Sequence, residues 1–262
     1  MTELENVQIF RDTQKQIAEK YSANGIEAHY YNGLPDILPS ADLTPIQMVH
    51  GGTVSTGYAD ADEMTVAILN FADALQSGGL VEVGAYTQEE NICRCSNLYP
   101  VLASGTSQAN YYKPNMDDLR VRQNEVYTDR IIYARNVTVF KDDVTYSEVA
   151  PKQLDVITCP APSAYLAMHE AVAIYSKRIN QIILSAIENG VDCIVLGAWG
   201  CGAFAQKPEL VALAFAHVLN SYSGYFKKVV FAMKPTTDVG TDDMYNMFKT
   251  TLNRFYKGRV IE

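Results

Sequence analysis

Glu89 and Glu90 are adjacent carboxylates directly after Thr87 and Gln88, and the stretch leading to them contains Gly78, Gly79 and Gly84. Paired carboxylates can divide acid/base work, because each raises the other's pKa and a carboxyl kept protonated can donate its proton to a departing oxygen. The same residues admit a plainer reading. Thr87 is a good N-cap with Glu90 three positions later, which is a capping box, and acidic residues in a first turn complement the helix dipole. A second group, Gly197, Gly200 and Gly202, runs toward Pro208. A strand, a glycine loop and a helix start in that order favour an anion such as phosphate, which takes the free N–H groups. Tight turning alone also explains such glycines, and both the Gly-Lys-Ser/Thr of a P-loop and the spacing of a dinucleotide fingerprint are missing.

Each group needs a rigid element to deliver it. Val66, Ala67, Ile68 and Leu69 form an apolar run of the length and β-branched content of a buried strand, and it feeds the first glycine loop. Cys193 to Leu196 does the same for the second, and Pro208 opens an apolar-periodic helix through Leu210, Val211, Ala214, Phe215 and Val218. The remaining elements follow by pattern. Residues 3–23 read as an amphipathic helix stopped by Asn24-Gly25, residues 32–45 as a connecting loop, Ile46 to His50 as a short strand, and Gly51, Gly52 and Gly57 as a turn-rich stretch. Residues 103–125 show no apolar periodicity and read as an irregular surface excursion. Ile131 to Tyr133 and Val137 to Phe140 read as strands around a turn at Arg135-Asn136, and Leu154 to Cys159 as another strand. A long helix then carries Val172, Tyr175, Ile179, Ile182, Ile183 and Ala186 on one face, up to Asn189-Gly190. Arg178 in that helix could reach a carboxylate or phosphate, or form a structural ion pair. Lys228 to Met233 reads as a strand, and Asp242 to Tyr256 as a helix capped by Thr241. Strands alternate with helices over the second half, so a parallel or mixed sheet covered on both faces is expected, with ligands beyond the carboxyl ends of its strands.

The 262 residues can bury a sizeable core, and 48% hydrophobic with 19% charged residues is the composition of a folded globular chain. A net charge of −9 argues against a sequence-independent grip on DNA or RNA, which needs a Lys/Arg surface to displace counterions. No run of about 18 apolar residues appears and the first residues are polar, so a soluble protein with no membrane association, cytoplasmic or otherwise intracellular, is expected. The cysteines Cys93, Cys95, Cys159, Cys193 and Cys201 are odd in number and lack Cys-x-x-Cys, so they read as reduced and mostly structural. The four histidines are scattered without ligand spacing, and neither a metal nor a cofactor is expected.

Several segments together resemble the poly(ADP-ribose) glycohydrolases of microbial type, whose catalytic domain is an elaborated macrodomain. They are Leu69-Asn70-Phe71-Ala72, Gly78-Gly79, Gln88-Glu89-Glu90, and the run Cys93, Arg94, Ser96, Leu98, Tyr99. Val137-x-Val139-Phe140 followed by Lys141-Asp142-Asp143, the Pro160-Ala161-Pro162 turn, and Leu196 to Phe204 extend the likeness over residues 5–235. Leu80 stands where that family has a third glycine, and Ala205-Gln206-Lys207-Pro208 replaces its Gly-Asn-Asp-Pro. The resemblance implies a three-layer α/β/α macrodomain-like fold with a mixed central sheet and an added N-terminal helix, residues 1–262 forming one domain. It implies hydrolysis of ADP-ribose O-glycosidic linkages in poly(ADP-ribose) or ADP-ribosylated protein. Glu90 would then be the general acid/base, Glu89 would hold the distal ribose, and Asn70, Gly78, Gly79, Gln88, Gly200, Cys201, Gly202, Ala203 and Phe204 would contact substrate. The alternatives are a module that binds ADP-ribose without turnover, or an α/β protein whose glycine loops only turn.

Overall fold

The computed structural model describes residues 1–123, 125–162, 168–234 and 241–262. Eight strands form one sheet: β1 (Glu27–Tyr31), β2 (Ile46–His50), β3 (Val66–Ala72), β4 (Ile131–Lys141), β5 (Glu148–Pro160), β6 (Cys193–Leu196), β7 (Lys228–Met233) and β8 (Val260–Ile261). Their order is β1-β4-β5-β3-β6-β7-β2-β8. The β1–β4 and β4–β5 pairs are antiparallel and the others parallel, so the sheet is mixed. Helices α1 (Glu3–Glu19), α2 (Thr53–Asp60), α3 (Gln88–Cys95), α4 (Tyr99–Leu102), α5 (Gly105–Ser107) and α6 (Lys113–Arg122) precede β4. After β5 come α7 (Met168–Glu188), α8 (Pro208–Tyr222) and α9 (Thr241–Phe255).

Period-two alternation along β3 divides the core. Ala67 and Leu69 face a cluster with Tyr175, Ile179, Val211, Phe215, Phe248 and Leu252 of α7, α8 and α9. Val66 and Ile68 face the other cluster, with Phe10 of α1, Val54 of α2 and Ile92 of α3. The result is a three-layer α/β/α architecture. Because β3 is covered on both faces, its apolar run is continuous rather than alternating. Its Leu69 is fully buried, and truncation to alanine would cost about 2–5 kcal/mol.

Six segments depart from the sequence expectations. Residues 103–125 are largely helical: α5, a π-helical turn at Gln108–Tyr112 and α6 follow one another, and Tyr111 and Tyr112 are fully buried. The i+5 turn breaks the 3.6-residue period, which hid the helix in the sequence. Residues after Gly52 form α2 instead of a turn. Gly57 sits inside it because an added Cβ would lie 2.7 Å from Ile68 Cγ2. The two strands expected around Arg135-Asn136 are a single strand, β4, with a bulge. There Asn136 has φ 59° and its N–H donates to Asp155 Oδ1 at 3.0 Å. Strands β1 and β8 were not anticipated; β1 is half exposed and β8 has two residues, so neither carries a strong apolar signal. Helix α1 ends at Glu19, and Asn24-Gly25 falls in a separate 3₁₀ turn. The cap assigned to the Thr241 side chain lies outside the described residues.

Arg178 is structural. Fully buried, it donates to Asp129 Oδ1 at 3.0 Å and to the carbonyls of Pro160 and Tyr127 at 2.9 and 3.0 Å. All five cysteines are free and buried, and burial pushes the thiols of Cys159, Cys193 and Cys201 up to about 12. Among the described residues no helix is long and apolar enough to cross a membrane.

Candidate active site

Both glycine loops leave the carboxyl ends of neighbouring parallel strands, β3 and β6. In the first, α3 begins with the capping box read from the sequence: Glu90 Oε2 accepts from the Thr87 N–H at 3.0 Å and from the Thr87 hydroxyl. Its other oxygen is not spent on the cap. Glu90 Oε1 accepts from the Leu80 N–H at 2.9 Å, so this carboxylate, only 4% exposed, bridges the loop and the helix start.

Glycine is required where the loop crosses. A Cβ on Gly79 would lie 2.4 Å from Glu90 Oε1 and 3.3 Å from Glu89 Oε2, and φ there is +60°. Gly78, at φ +68°, has the Tyr99 ring 2.8 Å from where its Cβ would be. Leu80 itself has φ −98°, a conformation open to any residue, and its side chain is 48% exposed. Its Cβ therefore strains nothing.

Glu89 is held from below. Its Oε1 accepts from Asn70 Nδ2 at 3.1 Å and its Oε2 from the Asp73 N–H at 2.7 Å. Asn70 is paired in register with Thr158 of β5 and also donates to that residue's hydroxyl, at 3.2 Å. Burial raises the Glu89 pKa well above the usual carboxylate value; the hydrogen bonds from Asp73 and Asn70 oppose this, and the charges of Asp73 and Glu90 add to it. Sequence reading passed over Thr158 and Asp73. The signal was there for Thr158, a hydroxyl inside the buried end of an apolar strand. Asp73, whose Oδ1 accepts the Leu75 N–H at 2.7 Å in a local turn, looks in sequence like ordinary loop polarity.

Gln88 does a strand's work. Strand β3 pairs with β6 only as far as Ile68, and beyond that point Gln88 Oε1 accepts from the Phe71 N–H at 2.8 Å while its Nε2 donates to the Leu69 carbonyl at 2.7 Å. The side chain fixes α3 to the strand end. From the other side, α1 braces the same unit: Asn6 Nδ2 donates to the Gly84 carbonyl at 2.9 Å, and buried Arg94 of α3 donates from Nε to the Asn6 carbonyl at 3.2 Å and from Nη2 to the Ala85 carbonyl.

The second loop is shaped by its own backbone. Gln206 N–H donates to the Gly200 carbonyl at 3.0 Å, Ala205 N–H to the Gly202 carbonyl at 2.9 Å, and Ala205 takes a positive φ of 50°. Gly200, at φ +81°, lies against Tyr175 Oη and Ala161, whereas a Cβ on Gly202 would meet nothing within 4 Å. Trp199 is fully buried and its indole N–H donates to the Cys159 carbonyl at 3.2 Å, locking the loop to the end of β5. Cys201 is buried, Gly202 and Ala203 are exposed, and Phe204 is half-buried against the core edge. Among the described residues the N–H groups of Gly202, Ala203 and Phe204 meet no acceptor.

Between the strand ends and α9 lies a mostly apolar cleft of about 230 Å³, lined by His50, Phe71, Gln88, Ala198, Met233 and Tyr245 among others. Glu89 and Glu90 do not line it; it opens beside them, on the Gln88 side of the start of α3. Among the described residues no cluster of His, Cys, Asp and Glu is arranged to hold a metal ion.

The family described as microbial-type PARG, catalytic domain, matches residues 7–142, just over half of the chain. The chain belongs to that family. Its members are poly(ADP-ribose) glycohydrolases, and the chain is accordingly a hydrolase of ADP-ribose glycosidic linkages. Similar solved structures cover nearly all of it. The poly(ADP-ribose) glycohydrolase of Thermomonospora curvata matches at 24% identity over 94% of this chain and 99% of its own, with a TM-score of 0.79. That protein has also been solved with the inhibitor ADP-HPD, and matches in that form at 24% identity over 93% and 98%, with a TM-score of 0.76. The poly(ADP-ribose) glycohydrolase of Deinococcus radiodurans in complex with ADP-ribose matches at 25% identity over 97% and 93%, with a TM-score of 0.73. These likenesses bear out the macrodomain-like fold. No curated protein matches the sequence.

Proposed function

We propose that residues 1–262 act as one domain that cleaves the ribose–ribose bond of poly(ADP-ribose), with Glu90 as the general acid and then the base. The observation that carries this is the setting of Glu90. Its carboxylate is fixed at both oxygens by Leu80 and Thr87, almost removed from solvent, and placed where a glycine lets the loop after β3 cross it. A glycosidic bond breaks through an oxocarbenium-like transition state, which needs a proton on the departing oxygen. Glu90 donates its proton to that oxygen as the C–O bond breaks, and the resulting carboxylate takes a proton from the water that attacks the sugar. Glu89, supported by Asn70 and Asp73, holds the hydroxyls of the distal ribose. The diphosphate lies between Gly78-Gly79 and the segment Gly200, Cys201, Gly202, Ala203 and Phe204, where free N–H groups supply a local positive field on a chain of net charge −9. Gln88 acts by position, keeping α3 on the strand end.

Binding without turnover would be favoured if Leu80 distorted the loop. Its backbone at φ −98° removes that objection. The test is incubation with poly(ADP-ribose) and chromatography of the products. Release of ADP-ribose is expected. Binding of ADP-ribose by calorimetry with no release from polymer or from ADP-ribosylated protein would reduce the site to a reader.

A further inference from the structure

Against the loop that follows β3 lies the π-helical turn Gln108–Tyr112, closed by the Lys113 N–H donating to the Gln108 carbonyl five residues back. A proline accounts for the widening. Pro114, at the start of α6, has no N–H to give the Asn110 carbonyl, and its ring crowds an oxygen four residues earlier. That carbonyl accepts instead from Arg130 Nη1 at 3.3 Å. Neighbouring side chains of a regular α-helix leave it about 100° apart and so point at different surroundings. The wide turn buries Tyr111 and Tyr112 together, both fully, packed edge to face with ring centroids 4.8 Å apart.

The turn ties the loop at two points. Tyr111 Oη donates to the Asp73 carbonyl at 3.3 Å, and the N–H of that same residue is the one that holds Glu89 Oε2 at 2.7 Å. Burial keeps the Tyr111 hydroxyl protonated, with its pKa well above the usual phenol value, so it remains a donor. Gln108 Nε2 donates to Ser77 Oγ at 2.8 Å, and that hydroxyl donates in turn to the Leu102 carbonyl of α4 at 3.0 Å. Ser77 sits inside the turn that the Gly79 N–H closes on the Gln76 carbonyl at 3.1 Å, and the next N–H, of Leu80, grips Glu90 Oε1. Resting on the assignment of Glu89 and Glu90 to the chemistry, we infer that Ser77, Gln108 and Tyr111 are positioning residues for hydrolysis, which fix through the loop where the two carboxylates stand. Gly78 and Gly79 contribute no side chain that could anchor the crossing, and Ser77 immediately before them supplies the anchor. Ser77 is half-buried and Gln108 exposed, so their hydrogen bonds set a position rather than hold a core.

The experiment measures kcat and KM for release of ADP-ribose from poly(ADP-ribose), with ADP-ribose affinity by calorimetry and a melting curve, in the wild type, Ser77→Ala, Ser77→Thr and Tyr111→Phe. Misplacing a reacting group by about 1 Å costs roughly a hundredfold, and the smaller slack left by one lost tie is expected to lower kcat about tenfold in Ser77→Ala and in Tyr111→Phe, with ADP-ribose affinity nearly unchanged. Ser77→Thr keeps the hydroxyl and is expected to keep the rate. Tyr111→Phe retains the buried ring, so it reads the tie even where a serine variant folds poorly. An unchanged kcat in both Ser77→Ala and Tyr111→Phe overturns the positioning role. So does a fall in kcat that ADP-ribose affinity shares, because the ties would then serve the bound ligand and not the carboxylates. A wild type that releases no ADP-ribose overturns the catalytic assignment itself, an outcome separate from indifferent variants of an active enzyme, and the positioning role falls with it.

Discussion

The two glycine loops look alike in sequence and are built in opposite ways. In the loop after β3, Gly78 and Gly79 turn inward: the space a side chain would need is filled by Tyr99 and by Glu90, and the Leu80 N–H is consumed by the Glu90 carboxylate. In the loop after β6, Gly197 and Gly200 are buried against the core, Gly202 faces open space, and among the described residues the N–H groups of Gly202, Ala203 and Phe204 meet no acceptor. The first loop uses glycine to bring its backbone against the two carboxylates. The second leaves a backbone surface bare, which the proposed function gives to an anion. Glycine content therefore marks close approach, and the element that approaches has to be found from the partners of each glycine.

Substitutions at single glycines can break this contrast. Gly79→Ala places a methyl group 2.4 Å from Glu90 Oε1 in a left-handed conformation, so the acid must move. Displacing a general acid forfeits much of its two to four orders of magnitude, and a loss of at least about a hundredfold in kcat is expected, with ADP-ribose affinity by calorimetry much less affected. An equal loss of both would show that the effect comes from the first loop's share of the diphosphate and not from its hold on Glu90. Gly200→Ala meets Tyr175 Oη at 2.2 Å with φ +81°, and the expected effect is on the fold, about 2–4 kcal/mol by chemical denaturation.

Glu89 sharpens the contrast through pH. Burial keeps its folded pKa well above the ordinary value near 4.5, so from about pH 4.5 upward the unfolded chain releases a proton that the folded protein retains. Its contribution to stability is thus full below that pH and declines as pH rises toward the folded pKa. Glu89→Gln removes the titration, and Asn70, whose Oδ1 has no partner among the described residues, can turn to accept from the new amide. The melting temperature of the variant relative to wild type is expected to rise with pH across that window. A constant difference would show that Glu89 titrates normally in the fold. The smallest effect belongs to Gly202→Ala. With nothing within 4 Å of the added methyl, stability should change by less than about 0.5 kcal/mol, while ADP-ribose binding weakens because the methyl occupies the approach to the free N–H groups.

Much of this was legible in the sequence because short local patterns specify it. The T-x-x-E cap of α3, the apolar runs of β3 and β6, and Pro208 at the start of α8 all appear where their residues place them. What escaped depends on tertiary partners. Residues Gln108 to Tyr112 hide a helix behind a π turn, Gly57 is helical because Ile68 leaves no room for a Cβ, and Asn136 bulges a strand that reads as two. In the candidate site, sequence indicated the carboxylates. It gave no sign that Gln88 completes a strand edge, or that Leu80 would take a conformation in which a missing glycine costs nothing.

The most direct test of the division of labour is Glu90→Gln, measured for both turnover and binding. The glutamine keeps one acceptor oxygen, so it can still accept from Thr87 as a capping-box partner but loses the bond from the Leu80 N–H, and stability should fall by about 1–3 kcal/mol. Release of ADP-ribose from poly(ADP-ribose) should fall by about two to four orders of magnitude while calorimetry still shows ADP-ribose binding, since the N–H groups of the second loop are untouched. A glutamine variant that turns over polymer at the wild-type rate would contradict the account, removing Glu90 from the chemistry and returning it to a helix cap.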